Sequence, residues 1–143
     1  MNPIKYFEEY KLLFDKYIQN VELLYLNVRD KEGFYYPTDC IDLNTLNNKE
    51  IFGHIGINDD DIMLKAFNFN IRTDILYCDI ELFDDIKINS LKEFIENGDM
   101  IFKPYGSKSF YDKKKVSLFN IEEINLVRVN RDKKTLPLNT YDA

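Results

Sequence analysis

The stretch IMLKAFNFNIRTDILYCDIELF, residues 62–83, decides the fold class of this chain, because apolar and polar side chains alternate along both of its halves. Two alternating runs joined by a short polar break are typical of an antiparallel β-hairpin. We therefore predict strands at Ile62–Ile71 and Ile75–Phe83. In the second strand Asp79 and Glu81 lie two residues apart, so they share one face.

Alternation also assigns the side chains of the first strand to two faces. One face carries Met63, Lys65, Phe67, Phe69 and Ile71, and the other carries Asn68 and Asn70. The polar break Arg72-Thr73-Asp74 supplies the tight connection to the second strand.

Residues 1–28 carry the apolar spacing of a helix. Asn2 followed by Pro3 suits a helix start, because the asparagine caps the first turn and proline has a helical φ. Apolar side chains then recur at steps of three and four, at Phe7, Tyr10, Phe14, Tyr17, Val21, Leu24 and Val28. We predict a helix over residues 3–19 that packs on the sheet, followed by a strand over 21–28, for which a continued helix is the alternative. A coiled-coil or dimer seam is the second interpretation of this stripe.

Turn and cap residues locate the remaining elements. A capping box at Ser90–Glu93 begins a short helix that ends at Gly98, and Pro104 marks the end or the edge of a strand. We predict a loop with one short helical turn at 37–50, a strand at 51–57, a helix at 90–97, strands at 100–105, 116–119 and 124–129, a polar basic loop at 106–115, and a frayed stretch from residue 130. The predicted fold is α+β, with a long N-terminal helix and one short helix packed on a mainly antiparallel β-sheet in a single globular domain, 1–143.

Charge is unevenly distributed along the chain. Residues 1–102 hold 10 Lys+Arg against 20 Asp+Glu, and residues 103–143 hold 9 against 5, so the net charges are −10 and +4. An acidic body is repelled by nucleic acid and attracted by basic proteins. Ten Tyr and eleven Phe exceed what a core of this size needs. We expect some at the surface as contact residues, with half-buried strand positions as the alternative.

The sequence also bears on the compartment. The N-terminal residues lack the basic and apolar regions of a signal peptide, and no apolar run approaches the roughly 20 residues that span a bilayer. Cys40 and Cys78 are the only cysteines. We interpret them as free thiols and expect a cytoplasmic protein without a membrane partner.

Few residues suit catalysis, metal binding or cofactor binding. His54 is the only histidine and has no nucleophile motif around it, and one histidine with two distant cysteines does not make the usual zinc set. No glycine cluster suits a phosphate. The run Asn58-Asp59-Asp60-Asp61 lacks the glycine and the glutamate of a calcium loop, so a solvated turn is favoured. We predict no cofactor, no metal and no enzymatic activity.

Two weaker patterns carry alternatives. Asp74 with Asp85 and Lys87 faintly follows the spacing of metal-dependent nucleases, in which two carboxylates hold Mg²⁺ and the lysine stabilises charge. The surrounding acidity disfavours a phosphate backbone as substrate. Phe110 and Tyr111, flanked by Lys108, Lys113, Lys114 and Lys115, could stack bases, but at a pI near 4.8 a solvated loop or a match to the acidic body is favoured.

In size and composition the chain resembles the immunity proteins that protect bacteria from their own secreted or contact-delivered toxins. Toxins that cleave nucleic acid are commonly basic, and an acidic inhibitor occupies the same site. The resemblance implies a protein that neutralises a basic toxin nuclease domain through an acidic, aromatic-containing surface. The predicted partner-binding residues are Asp59, Asp60, Asp61, Asp79, Glu81, Asp84 and Asp85.

Two further hypotheses belong to other classes. A phage or mobile-element anti-defence protein that mimics nucleic-acid charge would need a continuous acidic stripe. An enzyme would need a deep pocket that encloses His54 or a carboxylate pair.

Overall fold

The computed structural model describes residues 17–30, 32–56, 62–83, 91 and 93–128. They form one mixed six-stranded sheet with the strand order β1-β4-β3-β2-β6-β5. The strands are β1 Tyr17–Tyr25, β2 Ile51–Gly53, β3 Leu64–Arg72, β4 Ile75–Leu82, β5 Met100–Phe110 and β6 Val116–Arg128. Neighbouring strands are antiparallel except β2 and β6, which pair in parallel. A 3₁₀ turn at Thr38–Cys40 and a short α-helix at Leu43–Asn47 precede β2, and residues 93–96 are also helical.

The sheet curls, so that its two edge strands, β1 and β5, approach each other. The chain after β1 adds to the closure at Tyr35, whose N–H donates to the carbonyl of Lys114 (2.8 Å) and whose carbonyl accepts from Val116 N–H (2.9 Å). The concave face holds the core. Its fully buried side chains are Leu23, Leu24, Leu26, Ile51, Leu64, Leu76, Ile80, Val116, Ile121, Ile124 and Leu126.

The predicted hairpin is confirmed as β3 and β4. The loop between them has two residues, Thr73 and Asp74, both with positive φ angles (51° and 61°). This is the left-handed turn whose twist matches that of the paired strands. Buried and half-buried side chains alternate without a break along β4, so Asp79 and Glu81 both lie on its outer face.

Simple alternation along β3 is wrong. A β-bulge lies between Phe67 and Asn70, with Asn68 in the left-handed conformation (φ 54°). A bulge inserts one residue and reverses the faces of the residues that follow. Phe67 therefore lies on the outer face while Phe69 is buried on the core side.

The predicted α+β fold with a long N-terminal helix is also wrong. Tyr17–Tyr25 is an edge strand, so the described residues contain no long N-terminal helix, and the chain is mainly β. Residues 3–16 of the predicted helix lie outside the described residues. The strand predicted after Asn20 exists but begins earlier, at Tyr17. Bulges on both sides of Val21 disturb its alternation, which explains why helical spacing fitted the same residues.

The first half of the segment 106–115 is strand, which corrects the predicted basic loop. Residues 106–110 continue β5 and pair with residues 116–121 of β6, leaving only residues 111–115 between the strands. Pro104 lies within β5, an edge strand, as its missing N–H requires. The predicted short helix is found at residues 93–96, and Gly98 (φ 74°) follows it in the left-handed conformation expected of a helix terminator. Its capping residue Ser90 lies outside the described residues.

Candidate functional site

The open end of the β3–β4 hairpin presents two exposed apolar side chains. Ile62 is 52% exposed and Phe83 is 47% exposed. The two segments that carry them are held together, because the N–H of Phe83 donates to the carbonyl of Met63 (2.9 Å). Large apolar side chains that form an exposed patch are typical of contact surfaces.

Glu81 lies two residues before Phe83 and is surrounded by aromatic and charged neighbours. Tyr17 of β1 pairs with it across the sheet, and the Tyr17 hydroxyl donates to Glu81 Oε1 (3.4 Å). The Tyr17 ring also packs edge-on against Phe67 (6.2 Å between centroids). Lost solvation and the Glu81 carboxylate both raise the pKa of Tyr17. Lys65 pairs with Glu81 from the other side, but its ammonium is nearer to Glu50 (3.9 Å).

We name this region the hairpin-end surface, defined by Tyr17, Ile62, Phe67, Glu81 and Phe83. It combines one carboxylate with four apolar or aromatic side chains. The predicted residues Asp59, Asp60, Asp61, Asp84 and Asp85 lie outside the described residues. The first run ends directly before Ile62 and the second begins directly after Phe83, so the described residues that flank the two runs meet at this surface.

The same row of side chains continues across the whole sheet. Cross-strand pairing links, in order, Tyr17, Glu81, Lys65, Phe52, Glu123 and Tyr105. The row thus contains three aromatic rings, two carboxylates and one ammonium group across six strands. The row therefore has mixed charge and does not form an uninterrupted acidic stripe.

Asp79, the other predicted residue that is described, is bonded within the sheet. Its Oδ1 accepts the backbone N–H of Asn20 (3.0 Å), and its Oδ2 accepts the side-chain amide of Asn68 (3.0 Å). Both asparagines are bulge residues with positive φ, one in β1 and one in β3. The carboxylate of β4 therefore fastens the bulges of its two neighbouring strands.

Arg72 completes this polar network. Its guanidinium donates to Asn20 Oδ1 (2.9 Å) and Asn70 Oδ1 (3.0 Å) and lies over the Tyr77 ring at 4.2 Å. A cation that shares Asn20 as a hydrogen-bond partner with Asp79 reduces the negative charge that Asp79 contributes to the outer face.

His54 belongs to another polar group, at the end of β2. Its backbone N–H donates to Asn125 Oδ1 (2.8 Å), and its Nε2 lies 3.7 Å from Glu123 Oε2. Asn125 is the one buried polar residue among those described, and its side-chain amide reaches Glu123 Oε1 (3.4 Å). Burial and the same glutamate raise the pKa of Tyr105. A cleft of about 300 Å³ lies elsewhere, between the Leu43–Asn47 helix and β3, and does not include His54.

Comparisons of the chain with protein-family models, with curated proteins and with solved structures found no match.

The described residues contain no group of three or more His, Cys, Asp or Glu side chains placed to hold a metal ion. Asp74, the one described member of the nuclease pattern, lies in the hairpin turn and accepts the Asn27 side-chain amide (2.9 Å). Asp85 and Lys87 lie outside the described residues. No helix within the described part of the chain is long and apolar enough to cross a membrane.

Sequence reasoning missed the apolar half of the hairpin-end surface. The sequence patterns place Ile62 and Phe83 at strand ends and Tyr17 in a helix. For Ile62 and Phe83 the available signal is the aspartate run that begins at the adjacent residue, because an apolar side chain at the edge of a charged segment has little core to enter.

Proposed function

We propose that the protein is a non-catalytic immunity protein that binds and neutralises a basic nuclease-type toxin domain through the hairpin-end surface. The observation that carries the proposal is the exposure of Ile62 and Phe83 at the end of the β3–β4 hairpin, where Glu81 lies two residues before Phe83 and the sequence continues into the two aspartate runs. The protein would act in the cytoplasm of the cell that makes the toxin. The two cysteines, which are free and buried, suit such a reducing compartment.

Each part of this surface has a separate role in the proposed complex. Buried aromatic and aliphatic anchors supply most of the free energy of binding at protein interfaces. Carboxylates around them attract a basic partner, raise the association rate and disfavour wrong partners. A toxin that cleaves nucleic acid needs a positive surface for phosphates, and that surface is complementary to the aspartate runs and Glu81.

The charge-mimic hypothesis is less well supported. Such a protein needs a continuous line of negative charge, whereas β3 places Lys65 and Arg72 next to β4, the strand that carries Asp79 and Glu81. Exposed apolar anchors are also poor substitutes for a phosphate backbone.

The direct test is co-expression with the polypeptide encoded by the adjacent gene. The wild-type protein should restore growth to cells that express this polypeptide and should form a purified complex with it. An adjacent polypeptide that is not toxic, or a toxic one that neither binds nor is neutralised, contradicts the proposal.

Matched variants then locate the interface. Phe83→Ala should weaken binding by about 2 kcal/mol, because it removes an anchor. Phe94→Ala is the control, because Phe94 has similar exposure (42%) but lies in the helical segment 93–96. For charge, Glu81→Lys should weaken binding while Glu96→Lys, an equal charge change on that helical segment, should not. Equal effects of the two substitutions within either pair would show that the interface does not lie at the hairpin-end surface.

Salt dependence tests the electrostatic part. The association rate should fall as ionic strength rises, because salt screens the attraction between exposed charges. Reversal of Asp59, Asp60, Asp61, Asp84 and Asp85 to Lys should abolish rescue. An association rate that is insensitive to salt, or rescue that survives this reversal, would contradict the role given to the acidic residues.

A further inference from the structure

Three aromatic rings surround the ammonium group of Lys108. Its Nζ lies 5.1 Å from the ring centroid of Phe34, 5.3 Å from that of Tyr36 and 5.2 Å from that of Phe119. A cation within about 6 Å of a ring centroid is attracted by the ring electrons, and several rings around one cation form an aromatic cage. The three nearly equal distances put this nitrogen near the centre of such a cage.

The sheet builds the cage from two separate parts of the chain. Lys108 in β5 lies directly opposite Phe119 in β6. Phe34 and Tyr36 come from the segment after β1, which the backbone pairing of Tyr35 attaches to the start of β6. Tyr36 and Phe119 are buried, at 4% and 5% exposure, whereas Lys108 is exposed along part of its length. The cage therefore has fixed walls and an opening to solvent.

A carboxylate is held beside the rings. Asp30 Oδ1 accepts the backbone N–H groups of Glu32 and Phe34, both at 2.9 Å, which fixes its position in the turn. Burial first and then the charge of this carboxylate raise the pKa of Tyr36. Aromatic walls with a fixed negative group are the arrangement that recognises organic cations.

A primary ammonium is not the best occupant of these walls. Burial lowers the pKa of Lys108, although Asp30 and Glu32 oppose this shift. The cause is that the rings replace water around three N–H donors without accepting strong hydrogen bonds. A quaternary or methylated ammonium has the same charge with fewer or no N–H groups, so it loses less solvation on entering the cage.

We propose that Phe34, Tyr36 and Phe119, with Asp30, form a binding site for a quaternary or methylated ammonium ligand, which Lys108 occupies until the ligand displaces it. The site shares no residue with the hairpin-end surface and does not depend on the proposed immunity function. Lys108 acts as a tethered competitor: if it fills the cage about nine-tenths of the time, it raises the apparent Kd of a ligand about tenfold.

Choline is a suitable probe, and 3,3-dimethylbutan-1-ol is its uncharged counterpart of the same shape. The Lys108→Ala variant should bind choline about tenfold more tightly than wild type, with the choline methyl protons shifted upfield in NMR spectra by the ring currents. Lys113→Ala is the matched control, because Lys113 is exposed on the same hairpin and should leave the affinity unchanged. Phe34→Leu in the Lys108→Ala background should lose binding. Unchanged affinity in Lys108→Ala, or equal binding of 3,3-dimethylbutan-1-ol, would overturn the proposal.

A second measurement uses the unaltered protein, so that it does not rely on the variants folding. The ε-methylene protons of Lys108 should be shifted upfield by the three rings. Saturating choline should return them to the values of a solvated lysine. If choline binds and these resonances stay in place, Lys108 is not displaced and the ligand occupies another site.

Discussion

Three asparagines, Asn20, Asn27 and Asn68, have positive φ angles of 56°, 62° and 54°. Asparagine tolerates this left-handed conformation better than most residues, because its short side chain hydrogen-bonds locally. Asn27 is also held by partners distant in sequence, because its side-chain amide donates to Thr38 Oγ1 and Asp74 Oδ1, both at 2.9 Å. The many asparagines of the chain thus include residues that set the backbone path.

Asp79 should be more important for stability than for binding. Asp79→Ala removes the acceptor of the Asn20 N–H and of the Asn68 amide, so we expect a loss of about 1–2 kcal/mol in the free energy of unfolding. Urea denaturation of wild type and variant measures this loss. Glu96→Ala serves as the control, since Glu96 is an exposed carboxylate outside the sheet. A loss no larger than that of the control would mean that the two bulges hold without the carboxylate.

Thr73 occupies a turn position that disfavours its side chain. Its φ is 51°, and β-branched residues are strained at positive φ. Thr73→Gly should therefore stabilise the protein by up to about 1 kcal/mol, although glycine also increases the entropy of the unfolded chain. Thermal unfolding is the measurement. Thr73→Val retains the β-branch and should give no increase; if it stabilises equally, backbone strain is not the cause.

At the scale of elements, the sequence predicts strands where alternation is unbroken. β4 alternates throughout, and the hairpin with β3 follows from it and from the short polar turn. β1 could not be assigned in the same way, because bulges on both sides of Val21 make its apolar spacing fit a helix as well as a strand. In β3, the sequence does not mark Asn68 as a bulge residue. Simple alternation therefore predicts that Phe67 and Phe69 lie on the same face of the sheet.

The candidate site, like the fold, could be predicted from the sequence only in part. The shared face of Asp79 and Glu81 follows from period two, but the bonding of Asp79 to Asn20 and Asn68 depends on which strands flank β4. The aromatic cage could not be predicted from the sequence either, because it also depends on which segments are neighbours in the fold. Phe34 and Phe119 are distant in sequence, and only the pairing of Tyr35 with β6 brings their rings to Lys108.

β2 has three residues yet joins the two halves of the sheet, and Gly53 makes this possible. A Cβ at position 53 would overlap the carbonyl oxygen of Ile124 in β6, so strands β2 and β6 would have to separate. We expect Gly53→Ala to cost about 3 kcal/mol or more in the free energy of unfolding. Chemical denaturation provides the comparison.

Gly56→Ala is the control for this substitution. Gly56 has a positive φ of 85°, but a Cβ there would meet no atom within 4 Å, so its cost is limited to backbone strain of about 1 kcal/mol. Equal costs for the two substitutions would show that contact with Ile124 does not limit position 53.

At the scale of the whole molecule, the acidic and the basic parts of the sequence contribute to two different surfaces, the hairpin-end surface and the aromatic cage. The acidic part includes β3 and β4 and supplies the hairpin-end surface, whereas the basic part includes β5 and β6 and supplies the lysine of the aromatic cage. Two of the basic residues, Lys108 and Lys114, lie over the Phe34 ring (5.1 and 4.3 Å from its centroid). Their charge is used at least in part inside the molecule.

The free energy of local opening should also differ between parts of the molecule. The labelling rates of the two cysteine thiols can measure this difference. Cys78 lies in β4, between β1 and β3, whereas Cys40 ends the 3₁₀ turn outside the sheet, and both are fully buried. Burial raises the pKa of Cys40 to about 12 and also raises that of Cys78, so neither is a reactive thiolate in the folded state. Labelling of either thiol therefore requires the structure to open.

Single-thiol variants separate the two opening events. The Cys78→Ala variant retains only Cys40, and the Cys40→Ala variant retains only Cys78. Cys40 should react with a disulfide reagent at least about tenfold faster than Cys78, because a peripheral turn opens at lower free energy than a central strand. Labelling at Cys78 should follow global unfolding and rise steeply with added urea, while labelling at Cys40 should depend on urea only weakly. In fully denatured protein the two rates should be equal, which controls for intrinsic reactivity. Equal rates in native buffer would mean that the turn and the sheet open together as one cooperative unit.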